Sequence, residues 1–397
     1  MDLERLIAKR SRAINASGIR QVFELGARLK DPINLSIGQP DFPVPEPVKQ
    51  AAIRAIESNH NGYTLTQGIT ALRRRIAADL ADDLGWPADS GEPDSEIDII
   101  VTSGTSGALH IAMLALLDAG DELIIPDPYF VAYPYMATLC GARAVRCDTY
   151  PDFRMTARRL EPLISPRTKA VLMNSPANPS GVVLTGAECR EIAGLCARRG
   201  VLLISDEIYD RFCFEDGREN VAPPGAGPKL RCPSPCRGDG AWNHTLLIRG
   251  FGKTYGCTGW RLGYIAGPRR LIDEMTKMQQ YSFVCAPAPM QHAAIAAFDC
   301  DMSQQIATYQ RRRDNVLARL SPLARIEKPG GAFYAFMEVP SRLGLTGAQF
   351  ATKAVEHGLL LIPGGVFSDR DTHLRLSFAA PDQTIERGLQ VLERLLP

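Results

Sequence analysis

The sequence predicts an α/β protein: a large domain with a mostly parallel seven-stranded sheet, plus a smaller α+β domain built from both chain ends. From about residue 97, short apolar runs alternate with amphipathic segments of helix length. This alternation is typical of strands joined by crossover helices. The seven runs are EIDIIV, DELIIP, ARAVRC, KAVLMN, VLLIS, TLLI and RLGYIAG. Such continuous apolar runs indicate strands that are buried on both faces of a parallel sheet.

The connecting segments of the large domain favour helices and one long excursion. Residues 107–117 and 185–199 carry apolar side chains at helical spacing, and Thr185 with Glu188 forms a capping box at the second segment. Residues 216–240, rich in proline and glycine, predict a surface excursion between the strands VLLIS and TLLI.

The smaller domain has a different pattern of predicted helices and strands. It contains a charged helix through QRRRDNVLARL and strands at AFYAFMEV and THLRLSFA. A closing amphipathic helix places Ile385, Leu389, Leu392 and Leu396 on one face. The N-terminal forty residues, which end in the proline-punctuated GQPDFPVPEP, lie outside the parallel core. We therefore predict a large domain at 45–285 and a small domain made of 1–44 and 286–397.

Composition favours small-molecule partners. The 397 residues include 45 Lys plus Arg against 44 Asp plus Glu, so the charge balance gives no reason to expect a nucleic-acid or membrane partner. The start, MDLERLIAKRSR, does not resemble a secretory signal, and no run reaches the length of a membrane span. Ten cysteines are scattered along the chain, as expected of reduced thiols in a cytoplasmic protein. Cys232 and Cys236 lie close together without histidine at ligand spacing, which favours a plain loop over a zinc site.

Ligands of such sheets bind beyond the carboxyl ends of the strands, and the residues there are chemically rich. In TSGTSGAL, the amides of Thr105 and Ser106 open a helix, where they would bind a phosphate or form only a tight turn. Asp206, directly after the buried run VLLIS, either caps a helix or needs a cationic or hydrogen-bonding partner.

Lys253 follows the run TLLI in RGFGKTYGCTGWRLGY. Its GKT imitates a P-loop, but the first glycine of that motif is replaced by Leu247. A lysine that emerges from a buried strand can instead be desolvated, which favours the neutral amine and Schiff-base formation with an aldehyde. A phosphate cradle, an anion for a ring nitrogen, an aromatic cover and an amine together predict pyridoxal 5'-phosphate as the cofactor.

At this point the chain resembles the class I and II aminotransferases of the aspartate aminotransferase superfamily, known as fold type I pyridoxal-phosphate enzymes. The resemblance runs from about Leu35 to the C-terminus. It is carried by GQPDFPVP, YTLTQGITALR, TSGTSGAL, NSPANPSG, SDEIY, GKTYGCTGWRLGY and HLRLSFA.

The resemblance implies roles around the cofactor ring. Lys253 would hold the cofactor aldehyde as a Schiff base and move the catalytic proton, and Asp206 would keep the ring nitrogen protonated. Asn178 and Tyr209 would hydrogen-bond the ring oxygen. Phe130 would stack on the ring face; its alternative is an ordinary core aromatic.

The resemblance also implies which residues would bind the cofactor phosphate. Arg261 would pair with the phosphate, to which Thr105 and Ser106 offer amides. Tyr63 is similar to a tyrosine that reaches the phosphate of the neighbouring subunit, which implies a homodimer with shared active sites. Many relatives carry serine where this chain has Gly250 and Gly252, so a hydroxyl contact to the phosphate is missing here.

The substrate carboxylate would be bound by Arg375, whose planar fork suits bidentate pairing, together with the Gly38 amide and the Asn178 side chain. Without the motif, Arg375 would be interpreted as a solvent-facing strand arginine. Candidates for contact with the substrate side chain are Ile19, Arg20, Tyr281 and Phe333.

The expected function is amino acid metabolism: transfer of the amino group of an L-amino acid to a 2-oxo acid by a ping-pong mechanism through pyridoxamine phosphate. A neutral or broad substrate range, including alanine or an aromatic amino acid, is favoured. The alternatives are another reaction on the same cofactor, such as a C–S β-lyase or a decarboxylase, a P-loop phosphotransferase, and a regulator with a degenerate cofactor domain. No metal is expected in the site.

Overall fold

The structure is a computed structural model that describes residues 1, 3–27, 29–87, 89–221, 227–238 and 240–396, without the side chains of residues 20, 21, 23 and 25. The strands are β1 Ile33–Asn34, β2 Ile97–Thr102, β3 Glu122–Asp127, β4 Arg143–Asp148, β5 Thr168–Asn174, β6 Leu202–Asp206, β7 Glu219–Val221, β8 Lys229–Arg231, β9 Thr245–Gly250, β10 Gly263–Pro268, β11 Tyr334–Glu338, β12 Leu359–Leu360, β13 Ile362–Pro363 and β14 His373–Ser377. The helices are α1 Lys9–Arg12, α2 Gly18–Gly26, α3 Glu46–Glu57, α4 Thr70–Leu84, α5 Gly104–Leu116, α6 Ala132–Leu139, α7 Ala157–Leu160, α8 Gly186–Arg199, α9 Phe251–Thr254, α10 Arg269–Gln280, α11 Ala288–Ala297, α12 Ser303–Leu320, α13 Gly347–Glu356 and α14 Asp382–Leu395.

The central sheet has seven strands in the order β2-β10-β9-β6-β5-β3-β4. Each of the seven predicted apolar runs forms one of them, and the predicted fold class is confirmed. Strand β10 runs antiparallel to both of its neighbours, whereas the other neighbouring pairs are parallel. The carboxyl ends of the parallel strands and the amino end of β10 therefore lie at the same edge of the sheet.

Helices cover both faces of this sheet because most of its strands are buried runs of apolar residues. On one face, α5 and α10 bury Leu109, Ile111, Ile272 and Met275 against it. Helix α8 lies on the other face and begins at the predicted capping box, in which Thr185 and Glu188 bond each other's backbone amides.

A second, three-stranded sheet, in the order β11-β14-β13, belongs to the C-terminal part of the chain. Helix α14 packs there with its apolar face buried, and each such side chain contributes about 1.5–3 kcal/mol. The N-terminal strand β1 pairs in parallel with β12, Ile33 opposite Leu359. The two ends of the chain therefore meet in one unit.

The proposed domain boundaries, 45–285 against 1–44 with 286–397, stay a prediction. Helix α11, on the C-terminal side of residue 286, packs against α3 and shares a buried cluster with Leu72 and Ile99. In the described part of the chain, no helix has both the length and the apolar character needed to cross a membrane.

Candidate active site

A cavity of about 430 Å³ opens at the edge of the sheet where the parallel strands end. Ten of the residues predicted for the site line it: Gly38, Thr105, Ser106, Phe130, Asn178, Asp206, Tyr209, Lys253, Arg261 and Arg375. Most follow the carboxyl end of a strand. Arg261 precedes β10 instead, and it reaches the same edge because β10 is antiparallel.

Lys253 is half-buried in this cavity, and its Nζ donates a hydrogen bond to the carbonyl oxygen of Gly38 at 2.5 Å. Burial, reinforced by the positive charges of Arg375 and Arg261, lowers the pKa of Lys253 to about 8. Among the described residues no carboxylate forms an ion pair with it. Near neutral pH a much larger fraction of this amine is therefore in the neutral, nucleophilic form than for an ordinary lysine.

Asp206 is buried at the end of β6 and faces the cavity. Its Oδ2 accepts a hydrogen bond from the Tyr133 hydroxyl at 2.7 Å, and its Oδ1 accepts one from the amide of Ile208 at 3.2 Å. Burial raises the pKa of Asp206 to about 6 against the effect of these two bonds. No cation in the described part of the chain pairs with it, so a protonated ring nitrogen would supply the missing positive charge.

The N-terminus of α5 and Arg261 form a place for an anion. The N-cap, Ser103, makes no side-chain capping bond, so the first amides of the helix are not satisfied by its own hydroxyl. Gly104 has a φ of +70°, and a Cβ atom there would lie 2.7 Å from Nη2 of Arg261. Arg261 is held from the other side by the carbonyl oxygen of Thr258, which accepts from Nη1 at 3.1 Å. A phosphate fits this combination of amides and guanidinium.

Arg375 is almost fully buried, with 1% of its surface exposed, so the interpretation as a solvent-facing arginine is wrong. Its Nη1 donates to Oδ1 of Asn178 at 3.0 Å and its Nη2 to the carbonyl oxygen of Ser36 at 2.9 Å, while Nε has no partner. The guanidinium stacks on the rings of Tyr334 and Phe367, 4.4 and 4.8 Å from their centroids. A buried guanidinium without a carboxylate and with a free Nε is suited to a carboxylate ligand.

The ring-binding candidates lie between these groups. The Asn178 amide donates to Oδ1 of Asn174 at 2.8 Å, which fixes the Asn178 backbone. The Tyr209 hydroxyl lies 3.1 Å from that of Tyr334. Phe130 is half-buried, and its ring meets Tyr133 edge to face at 5.5 Å. Phe130 therefore exposes part of its ring to the cavity.

Three of the candidate residues do not line the cavity, and the side chain of a fourth lies outside the described part of the chain. Tyr63 and Tyr281 do not line the cavity and are 88% and 86% exposed. Phe333 is buried behind the cavity, with its ring centroid 5.9 Å from Nζ of Lys253. The side chain of Arg20 lies outside the described residues, whereas Ile19 does line the cavity.

Sequence analysis missed several lining residues, among them Tyr133, Thr258 and Tyr334. Tyr133 lies in the PYFVAY segment, one helical turn after Phe130, and that spacing is a signal that could have found it. Tyr334 is the neighbour of the candidate Phe333, on the next position of the chain. Thr258 contributes its backbone carbonyl, for which the sequence contains no signal.

The two glycines before the lysine differ in the space around them. A Cβ atom at Gly250 would lie 2.9 Å from both Ile208 Cδ1 and Thr105 Cγ2, so a side chain there requires movement. At Gly252 the nearest atom would be Thr258 Cα at 3.3 Å. A serine hydroxyl therefore fits more easily at 252 than at 250.

These residues fit pyridoxal phosphate: a place for an anion, a buried carboxylate without a cation and a half-buried amine without a carboxylate face one cavity. Fold and site together define a pyridoxal-phosphate-dependent enzyme. Residues 30–392 match the family model of aminotransferase class I and II. The chain belongs to this family and is an aminotransferase.

Individual relatives cover nearly the whole chain. It is 35% identical to the putative aminotransferase YugH of Bacillus subtilis, over 96% of each sequence. It is 30% identical to aromatic-amino-acid aminotransferase 2 of Thermococcus litoralis, over 98% of each. Among solved structures, the aspartate aminotransferase of Thermus thermophilus with maleate superposes with a TM-score of 0.85 at 30% identity, covering 98% of this chain and 99% of that one.

Proposed function

We propose that this aminotransferase takes the amino group from an L-amino acid with a neutral side chain and passes it to a 2-oxo acid by a ping-pong mechanism, through the pyridoxamine form of the cofactor. The observation that carries this proposal is the pairing of Arg375 and Lys253 in one cavity. One is a buried guanidinium without a carboxylate, and the other is a half-buried amine whose pKa is lowered to about 8. An α-carboxylate bound by Arg375 would place the Cα–H bond within reach of Lys253.

Pyridoxal phosphate, when bound, supplies an electron-withdrawing ring that makes the Cα–H bond acidic. Residues of this chain would fix the charge and orientation of the ring and move the proton. Asp206 would keep a positive charge on the ring nitrogen, and Lys253 would take the proton from the substrate Cα and deliver it to C4′ of the cofactor. Asn178 and Tyr209 would orient the ring oxygen. Because Asp206, Tyr209 and Arg375 are buried, this part of the cavity would keep most water away from the proton transfer.

The charges in the cavity support a neutral side chain. Of the described residues that line it, the cations are Lys253, Arg261 and Arg375, each with a role proposed above. The wall that remains includes Ile19 and Ile37, which offer apolar contact. Among the described side chains of this protomer, a second carboxylate would find no further cation to pair with, and leaving it desolvated would be unfavourable. This supports alanine or an aromatic amino acid over a dicarboxylate donor.

A donor screen tests the substrate class. Purified enzyme would be given L-alanine, L-phenylalanine, L-tyrosine, L-aspartate and L-glutamate with pyruvate or 2-oxoglutarate as acceptor. We expect kcat/KM for the neutral donors to exceed that for aspartate by at least about 10-fold. A preference for aspartate would overturn the neutral-substrate proposal but leave amino transfer intact.

The half-reaction separates transfer from the alternative lyase or decarboxylase chemistry. With an amino acid alone, a ping-pong aminotransferase converts the cofactor once to its amine form and then stops. Catalytic release of pyruvate or carbon dioxide without any 2-oxo acid would support the alternative reactions.

The role of Lys253 is tested by Lys253→Ala, with Lys277→Ala as the matched control at an exposed lysine. Borohydride should fix the cofactor to the wild type and to the control but not to Lys253→Ala, which should also lose turnover. Retained fixation in Lys253→Ala would place the linkage on another lysine.

We also propose a homodimer with shared active sites. The exposed side chains Tyr63, Leu65, Tyr281 and Phe283 support it, being 88%, 64%, 86% and 41% exposed. Two buried glutamines join their segments: Gln279 donates to the carbonyl oxygen of Thr66 at 2.7 Å, and Gln291 to the hydroxyl of Thr64 at 3.1 Å. Exposed aromatic and aliphatic side chains close together are typical of an interface between subunits.

Mixing two inactive variants tests shared sites. In a hybrid of Lys253→Ala with Tyr63→Ala, one site has its own Lys253 and receives Tyr63 from the other chain. Random mixing should restore about a quarter of the wild-type activity, because about half of the dimers are hybrids with one intact site. No recovery from hybrids that are confirmed by mass would contradict sharing through Tyr63.

A cytoplasmic location is proposed from the thiols. The ten cysteines are all free in the structure, and the thiol of Cys232 faces that of Cys213. Free buried thiols are typical of a reducing compartment. Localisation of a tagged full-length chain tests this.

A further inference from the structure

The excursion after β6, residues 216–240, is attached to the large domain by polar contacts rather than lying free on its surface. In its described part, Cys236 is fully buried, and its carbonyl oxygen accepts a hydrogen bond from Nε1 of Trp86 at 2.8 Å. Arg237 forms an ion pair with Asp83, at the end of α4, at 3.3 Å. The excursion is therefore fastened to the core at defined points.

Beneath it lies Arg249, a buried arginine that is shared by three carboxylates. Its Nη2 and Nε lie 2.8 and 3.0 Å from Oε2 of Glu207. Its Nη1 lies 2.8 Å from Oδ2 of Asp83 and 3.4 Å from Oδ2 of Asp210. All three carboxylates are nearly as buried as the guanidinium. Asp83 also pairs with Arg231 and Arg237, and Asp210 with Arg211, whereas Arg249 is the one cation among the described residues that pairs with Glu207. Glu207 would therefore be strongly unfavourable without Arg249.

The network connects the strands that carry the cofactor-binding groups. Arg249 lies on β9, four residues before Lys253, and Glu207 follows Asp206 directly at the end of β6. The amide of Glu207 also donates to the carbonyl oxygen of Ile248 at 2.9 Å. The contact between Arg249 and Glu207 is therefore a cross-link between the two strand ends.

The excursion completes this cross-link. Oε1 of Glu207 accepts a hydrogen bond from Ser205 at 2.9 Å and another from Ser234, within the excursion, at 2.6 Å. With Arg249 on its other oxygen, the Glu207 carboxylate is held on both sides. Its charge also reaches Asp206, whose pKa is raised first by burial and further by Glu207. The positive charge of Arg249 lies against the Glu207 carboxylate and reduces the effect of its negative charge on Asp206.

We infer that Arg249 is a positioning residue for the proposed transamination, and that Ser234 acts with it by holding Glu207. Together they keep Asp206 and Lys253 at a constant separation within the cavity. The inference rests on the proposed function, since it assigns these two residues to one reaction. A site held less firmly loses proton-transfer rate steeply with small displacements. Binding of the substrate carboxylate by Arg375, on another part of the cavity, should be spared.

The test compares Arg249→Met with Arg237→Met in the holoenzyme. Both changes remove a largely buried arginine that pairs with Asp83, but Arg237 makes no contact with Glu207. For Arg249→Met we expect kcat to fall about 10- to 100-fold with KM for the amino donor within about twofold of wild type. For Arg237→Met we expect kcat within about twofold of wild type.

Two milder variants keep the inference testable if Arg249→Met does not fold. Arg249→Lys keeps the charge but loses the fork, and Ser234→Ala removes one hydrogen bond to Glu207. Each should lower kcat about three- to tenfold without raising KM. Equal kcat losses in Arg249→Met and Arg237→Met, or kcat within twofold of wild type in all Arg249 and Ser234 variants, would overturn the inference.

Hydrogen exchange of the full chain, with and without cofactor, gives a readout that does not depend on turnover. Amides in 203–210 and 246–254 should exchange faster in Arg249→Met and Ser234→Ala than in Arg237→Met. Unchanged exchange there would contradict the cross-link. If the wild type transferred no amino group, the proposed function would fail, whereas the exchange result would still report on the cross-link.

Discussion

Removing the guanidinium of Arg375 should abolish recognition of the substrate carboxylate while leaving the cofactor bound. In the structure this group donates to Asn178 and to the Ser36 carbonyl and keeps Nε free. A bidentate pair with a carboxylate adds two charge-assisted hydrogen bonds, each contributing about 1.5–3 kcal/mol. Arg375→Ala should therefore cost about 3–6 kcal/mol in kcat/KM, or about 150- to 20,000-fold.

The variant should still fold, because no described carboxylate is left unpaired when this arginine is removed. The assay is the single-turnover half-reaction, followed by the absorbance of the bound cofactor. L-Phenylalanine would be compared with 2-phenylethylamine, which has no carboxylate. Arg375→Ala should slow only the amino acid, and Arg375→Lys should be intermediate since it keeps the charge without the fork. An equal loss with both compounds would refute carboxylate recognition by Arg375.

Three further outcomes are expected. The amine of Lys253, whose pKa is lowered to about 8, should react with aldehydes in the cofactor-free protein. Because the neutral amine is the nucleophile, the reaction rate should rise with pH and level off above about pH 8. A midpoint near the ordinary pKa of lysine would contradict this. Tyr133→Phe removes the hydrogen bond that lowers the pKa of Asp206. The decline of kcat on the acid side of its pH profile should therefore move to higher pH, and kcat should fall about 10-fold. An unchanged pH profile would argue against that contact. Gly252→Ser adds a hydroxyl near the phosphate and needs a shift of a few tenths of an ångström at Thr258. The variant should lose its cofactor several-fold more slowly in dialysis. Faster loss would show that the close contact between residue 252 and Thr258 outweighs the added hydrogen bond.

The large sheet could be predicted from sequence because each strand is a continuous apolar run, and the chemistry follows the end of the run. Asp206 and Lys253 were found by that position alone, without knowledge of which strands are neighbours. Strand order brings them together: β6 and β9 are adjacent although the excursion separates them along the chain.

Other parts of the site depend on contacts that the sequence does not encode locally. At β11 the candidate Phe333 lies behind the cavity while the next residue, Tyr334, lines it. Successive side chains of an extended chain point to opposite faces, so an assignment one residue off selects the wrong face. Arg249 is an even clearer case. Its partners Asp83 and Glu207 come from distant segments, and within the sequence it reads only as the end of an apolar strand.

The pairing of β1 with β12 sets an order of events during synthesis. The strands of the large sheet are complete once residue 268 has been made, whereas Ile33 must wait for Leu359 before β1 can pair. The carbonyl of Ser36, which holds Arg375, depends on that late pairing. Because long-range contacts form slowly and domains form as units, the cofactor-binding sheet can be assembled while the carboxylate-binding half is still unfinished. A newly made chain is therefore expected to gain its cofactor site before it can recognise a substrate.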